Sequence, residues 1–156
     1  MRAYDGIKAE RGREVNLEAP DFLEQSRDLL SRNIPVEIRM SGGSMRPAIE
    51  DGDIITIEPI KDSPIKQGDI ILYQTRFDTA VIHRVVRIEK AASGRSVVTR
   101  GDASLQNDIP APYHRILGRV RQVERAGERI SVSRPRKRLA EKIMSLVSRL
   151  FSRSER

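Results

Sequence analysis

The chain has 156 residues, a formal charge of +7, no cysteine and two histidines. That length suits one domain with a real core rather than two, and the composition excludes disulfides, a thiol nucleophile and a cysteine or histidine-rich metal site. The charge is localised: residues 134–156 hold eight basic and two acidic side chains, so +6 lies there and +1 in residues 1–133, and the high pI gives no indication that the body binds nucleic acid.

Residues 1–18 are polar, without periodicity, and are expected to be a loose N-terminal tail. No apolar h-region of a secretory signal follows Met1, and no run reaches the roughly 18–20 apolar residues of a membrane span. The expectation is a cytoplasmic protein, or one peripheral at the inner face of the membrane. Residues 21–32 space Phe22, Leu23, Leu29 and Leu30 on one helical face, with Pro20 suited to the first turn and Asn33-Ile34-Pro35 as the stop.

From 36 to 133 the pattern is that of short strands. Residues 36–40 alternate apolar and polar, 53–58 and 69–73 each follow a Gly-Asp turn, and 80–89 is a long β-branched run. Residues 91–94 read as a hairpin loop and 95–100 as its return strand. Residues 116–123 and 129–132 flank a turn at Ala126-Gly127. Such spacing predicts a mainly β fold, a small coiled-sheet barrel or sandwich. Residues 137–151 return to helical spacing, with Leu139, Ile143, Leu146, Val147, Leu150 and Phe151 on one stripe and Lys137, Arg138, Lys142 and Arg149 mostly off it. A helix of that length needs a surface to pack on: the protein's own body, a partner helix, or an anionic membrane. The expected organisation is a tail over 1–18, a β domain with a leading helix over 19–133, and a basic amphipathic helix over 134–156.

The chemistry centres on Ser41-Gly42-Gly43-Ser44-Met45-Arg46-Pro47. Two glycines allow a sharp turn after the strand at 36–40, and Pro47 fixes one more angle. Such a turn can present the Ser44 oxygen while aiming backbone N–H groups at the same point, as a nucleophile beside an oxyanion hole requires. The bland reading is a surface turn. His83 lies within the strand at 80–89, and alternation places it with Val81 and Val85 on one face. There it is either a core histidine or a general base for Ser44. Asp102 and Asp108, in the loop after residue 100, are candidates to orient it, or are turn formers. His114 falls in a proline-bounded loop and is expected at the surface.

Five boxes in order, Ser44-Met45-x-Pro47, Gly52-Asp53-Ile54-Ile55, Gly68-Asp69-Ile70-Ile71, His83-Arg84-Val85-Val86 and Gly101-Asp102, resemble those of the type I signal peptidase and LexA-type serine peptidase superfamily. Histidine at the base position resembles the endoplasmic-reticulum and archaeal-like branch, as does the six-residue spacing of Asp102 and Asp108. The resemblance implies a serine endopeptidase acting on a peptide or protein, without a cofactor or metal. It makes Ser44 the nucleophile, His83 the base, Asp102 or Asp108 the orienting group, and Gly42, Gly43 and Met45 the turn that forms the oxyanion hole. Gly42 stands where signal peptidases often carry a hydroxyl, so the hole would rest on backbone N–H groups. Ala103 replaces the asparagine that often follows Gly-Asp, and the family's N-terminal membrane anchor has no counterpart in the sequence. The alternative is a non-catalytic domain of the same fold that binds a peptide or partner. A self-cleaving repressor is disfavoured, because one helix before Ser44 is too little for a helix-turn-helix.

Overall fold

A computed structural model describes residues 5–9, 13–15, 19–61, 64–92, 94–130 and 132. Among the described residues one α-helix, α1 (Ala19–Ser31), precedes most of a single antiparallel sheet. Its strands are β1 (Asp5–Ala9), β2 (Arg13–Val15), β3 (Val36–Arg39), β4 (Ile54–Pro59), β5 (Ile70–Gln74), β6 (Ala80–Ala91), β7 (Gly94–Arg100), β8 (Ala111–Pro112), β9 (Ile116–Arg125) and β10 (Glu128–Ile130). Their order is β2-β1-β3-β4-β9-β5-β6-β7-β8, with β10 on β9, and the sheet curls into a half-barrel.

The expected mainly β fold is present. One expectation fails: the stretch read as a loose tail contributes β1 and β2, and β1 pairs with β3. The pairing is made by backbone groups on the free edge of β3, which any sequence can offer, so no apolar periodicity announces it. The helix expected over 137–151 lies outside the described residues. Among those described, no helix is long and apolar enough to cross a membrane.

Two cores share the central strands. Alternation along β5 sends Ile70 and Leu72 to one core, with Phe22 and Leu30 of α1 and Ile38, Ile55, Ile57 and Val120 of the sheet. It sends Ile71 and Tyr73 to the other, with Val85, Val97, Ala111 and Ile116. All four of these β5 residues are buried, as expected of a strand covered on both faces. The helix stops at Asn33, which takes a positive φ of 62°. Its N–H bonds Leu30 O at 3.1 Å and the N–H of Ile34 bonds Leu29 O at 2.9 Å, a left-handed C-terminal cap.

The loop between β3 and β4 is pinned at its far end by Asp53, which is 2% exposed. Arg125 of β9 donates to both carboxylate oxygens at 2.9 and 2.8 Å, and Glu50 N–H donates to Oδ2 at 2.7 Å. The Arg125 guanidinium, helped by that N–H, holds the Asp53 carboxyl below the usual range against the opposing effect of burial. A depressed carboxyl stabilises the fold fully above the ordinary aspartate value of 3.8, and that contribution is lost as pH falls through the lower folded value. Asp53→Asn is therefore expected to lower the urea midpoint at neutral pH, and the gap from wild type should close in an acid pH series. Equal midpoints at neutral pH would remove Asp53 from this role.

Candidate active site

Ser44 sits in the turn that follows β3. Gly42 opens it at a φ of +94°, a conformation strained for residues with a side chain, and its N–H is held by Asp51 Oδ1 at 2.8 Å. Met45 and Ile49, 2% and 1% exposed, anchor the turn in the core under α1. Ile49 N–H closes the turn on Met45 O at 3.0 Å. Among the described residues no backbone carbonyl accepts the Ser44 N–H in this turn.

His83 lies in β6, opposite Ile71 of β5, while Val81 opposes Tyr73 and Val85 opposes Thr99 of β7. Period-two alternation on three neighbouring strands therefore collects Tyr73, Val81, His83, Val85 and Thr99 on one face. Val81 and Val85 pack with the second core, as their alternation predicts. The His83 side chain, 12% exposed, meets the carboxylate of Asp108, with Nδ1 and Oδ2 at 2.6 Å.

The two aspartates have different partners. Asp108 Oδ2 takes His83 Nδ1, the Thr99 hydroxyl at 2.8 Å and the Tyr73 hydroxyl at 3.2 Å. Burial pushes the Asp108 carboxyl up, but the hydrogen bonds from His83, Thr99 and Tyr73 outweigh it and hold the group below the usual range. An ionised carboxylate only accepts, so Nδ1 carries the proton that faces Asp108, and in a neutral ring Nε2 is then the basic nitrogen. Asp102 instead forks with Arg84: Nε to Oδ1 at 2.7 Å and Nη2 to Oδ2 at 2.6 Å, each side chain 10% exposed. Arg84 also donates to Gly68 O at 2.9 Å and Val132 O at 3.3 Å. Of the two carboxylates expected near His83, Asp108 alone makes its hydrogen bond, and Asp102 holds the loop.

The serine turn and the histidine meet at Gly101. An ideal Cβ on this residue would lie 2.6 Å from Ser44 O and 3.1 Å from His83 Nε2. Ala103 N–H then donates to Ser44 O at 3.0 Å, joining the two loops directly. His114 is exposed in the 3-10 turn Tyr113–Arg115, away from these contacts.

A largely apolar cleft of about 320 Å³ opens beside His83 and Asp108, lined also by Phe77, Val81, Ile109 and Pro110. Phe77 is 69% exposed and Ile109 54%. Among the described residues no cluster of three or more histidine, aspartate or glutamate side chains could hold a metal ion. The roles of Arg84, Tyr73, Thr99 and Gly101 in this geometry were not read from the sequence. The available signal was a polar Thr99 after Val97 and Val98.

Residues 7–121 match the Peptidase S24-like family, and the chain belongs to it. It is similar to the signal peptidase complex catalytic subunit SEC11C of Homo sapiens, 29% identical over 76 residues, 47% of this chain and 39% of that protein. It is likewise similar to the SEC11 subunit of Clavispora lusitaniae, 32% identical over 76 residues, 48% of this chain and 45% of that protein. The SEC11 subunit of Penicillium rubens is 32% identical over 75 residues, 47% of this chain and 42% of that protein. The chain thus spans less than half the length of the curated relatives it matches. These likenesses establish the signal peptidase and S24 superfamily that the ordered boxes resemble.

The contact at Gly101 has a direct test. Because Ser44 O is backbone and cannot rotate away, Gly101→Ala should cost about 1–3 kcal/mol in urea unfolding, as overpacking does. It should also shift the imidazole resonances of His83. An unchanged midpoint with an unchanged imidazole spectrum would mean that the two loops do not meet there.

Proposed function

We propose that this chain is a serine endopeptidase resembling signal peptidase, with Ser44 as nucleophile, His83 as general base and Asp108 as the group that orients the base. The observation that carries the reading is the 2.6 Å contact of His83 Nδ1 with Asp108. It turns Nε2 toward Gly101, whose ideal Cβ would lie 3.1 Å from that nitrogen and 2.6 Å from the carbonyl oxygen of Ser44.

In this reading Nε2 takes the Ser44 Oγ proton as the oxygen attacks the substrate carbonyl carbon. Asp108 stabilises the imidazolium that forms without taking its proton. Backbone N–H groups of the turn, that of Ser44 first, receive the tetrahedral oxyanion; Gly42 supplies no hydroxyl to help. The imidazolium then protonates the leaving amine, the peptide C–N bond breaks, and an acyl ester on Ser44 remains. Water, deprotonated by the same Nε2, hydrolyses the ester and restores the serine.

Asp102 acts differently. Neutralised by Arg84, it holds the loop whose Ala103 N–H grips Ser44 O, and so bears on the turn rather than on the base. The substrate is a peptide or protein segment extended enough to reach the turn. The apolar cleft beside His83 offers room for side chains near the scissile bond.

A proteome-derived peptide library, read by mass spectrometry for new termini, tests the assignment. The wild-type chain is expected to generate termini, and Ser44→Ala and His83→Ala to generate none. The double variant should be no worse than either alone, because the pair acts as a unit. Asp108→Asn should reduce turnover by several orders of magnitude, and Asp102→Asn by less. Near-wild-type turnover in His83→Ala would overturn the base, and wild-type activity in both aspartate variants would leave a serine–histidine dyad. If no termini arise from the wild-type chain, the domain binds peptides without cutting them.

A further inference from the structure

Thr99 stands in the middle of an apolar run, after Val97 and Val98, and is 0% exposed. Valine would satisfy the strand and the packing at this position, since both residues are β-branched. A buried hydroxyl costs stability unless it is bonded, so its partner is informative. Its oxygen lies 2.8 Å from Asp108 Oδ2 and 3.0 Å from the Tyr73 hydroxyl. One hydroxyl proton cannot serve both, and the carboxylate is the stronger acceptor. The Thr99 carbonyl accepts the Asp108 N–H at 2.8 Å as well.

We propose that Thr99, seconded by Tyr73, is a positioning residue of this site: it clamps Asp108 by backbone and by side chain and so fixes the ring and tautomer of His83. This rests on the assignment of His83 and Asp108 given above. The clamp is needed because Asp108 belongs to a loop, whereas His83 belongs to a strand. Without it the carboxylate could turn to water and release Nδ1. Tyr73, 2% exposed, donates to the same oxygen over a longer 3.2 Å and contributes less. Among the described residues the titratable and charged groups that face Asp108 are these. His83 comes from β6 and Tyr73 from β5, and Arg76 lines the same cleft. Arg84, the next residue after His83, is engaged by Asp102.

Thr99→Val, Thr99→Ser and Tyr73→Phe test the clamp in the full chain. On a peptide cut by the wild type, Thr99→Val is expected to lower kcat about 10- to 100-fold with little change in KM, the loss typical of a hydrogen bond to a charged group. Thr99→Ser should restore most of the rate, and Tyr73→Phe should show a smaller loss. Nitrogen-15 NMR of the His83 ring provides a readout that needs no activity. The wild type should show Nδ1 protonated and Nε2 bare, and Thr99→Val a mixture of tautomers. If Thr99→Val keeps the wild-type tautomer and, where the chain cuts, the wild-type kcat, the clamp is refuted. If Thr99→Ser falls as far as Thr99→Val, packing rather than the hydroxyl is responsible and the proposal fails. A wild type that cuts nothing yet shows the tautomer shift would sink the peptidase reading and leave the clamp standing.

Discussion

The absence of a side chain at Gly101 is the constraint on which the site depends. Two parts of the chain approach each other there: the turn that carries Ser44 after β3 and the His83 ring on β6. A methyl group at 101 would sit 2.6 Å from a backbone oxygen, closer than packed atoms come, and the oxygen has no torsion by which to move away. The glycine permits the approach, and the Ala103 N–H on Ser44 O makes it attractive. The Arg84–Asp102 fork then fixes the loop that supplies both. Such a buried pair is poor evidence of net stability, since desolvation offsets most of the attraction. Its value lies in direction, because two parallel bonds hold a loop at one angle where a single bond would let it swing.

The two aspartates of that loop show how environment separates roles. Asp102 is neutralised by a guanidinium that takes both of its oxygens. Among the described residues Asp108 pairs with no lysine or arginine; it is held by two hydroxyls and an imidazole that converge on Oδ2. Burial opposes its charge, but the hydrogen bond from His83, with those from Thr99 and Tyr73, holds the carboxyl below its usual range. A carboxylate already paired with arginine would offer an imidazolium much less. The same seven-residue stretch therefore holds one carboxylate paired with arginine and one that faces the histidine.

Most of the fold was legible in the sequence because its strands obey simple rules. β4, β5, β6, β7 and β9 are β-branched runs bounded by glycine turns, and α1 announces itself through Phe22, Leu23, Leu29 and Leu30. The elements that sequence reading missed are those made by partners rather than by composition. β1 and β2 owe their existence to the edge of β3, and β8 is two residues held against β7. Ser44, His83 and both aspartates could be named from their boxes. Which aspartate faces the histidine could not, because that depends on register: Val85 opposite Thr99, and Asp108 folded back onto Thr99. For the same reason Tyr73 and Thr99 passed as ordinary strand residues. A polar side chain in the inward row of a valine-rich strand was the mark they left.

The division of labour between sheet and loops follows from where the cores lie. β5 is buried on both faces and β6 carries buried residues toward both cores, so His83 and Tyr73 stand on strands packed from both sides. Ser44 and Asp108 stand on loops, which would ordinarily be the mobile part. Each loop is tied back to that platform. The serine turn is anchored by the buried Met45 and Ile49, and Asp108 by Thr99 at two points. A peptide approaching the turn would then meet groups already placed. The ordering cost of the site is borne in folding rather than in binding. Gly42 fits this arrangement: with no hydroxyl there to reorient, any oxyanion would be received by backbone N–H groups whose direction the turn itself sets.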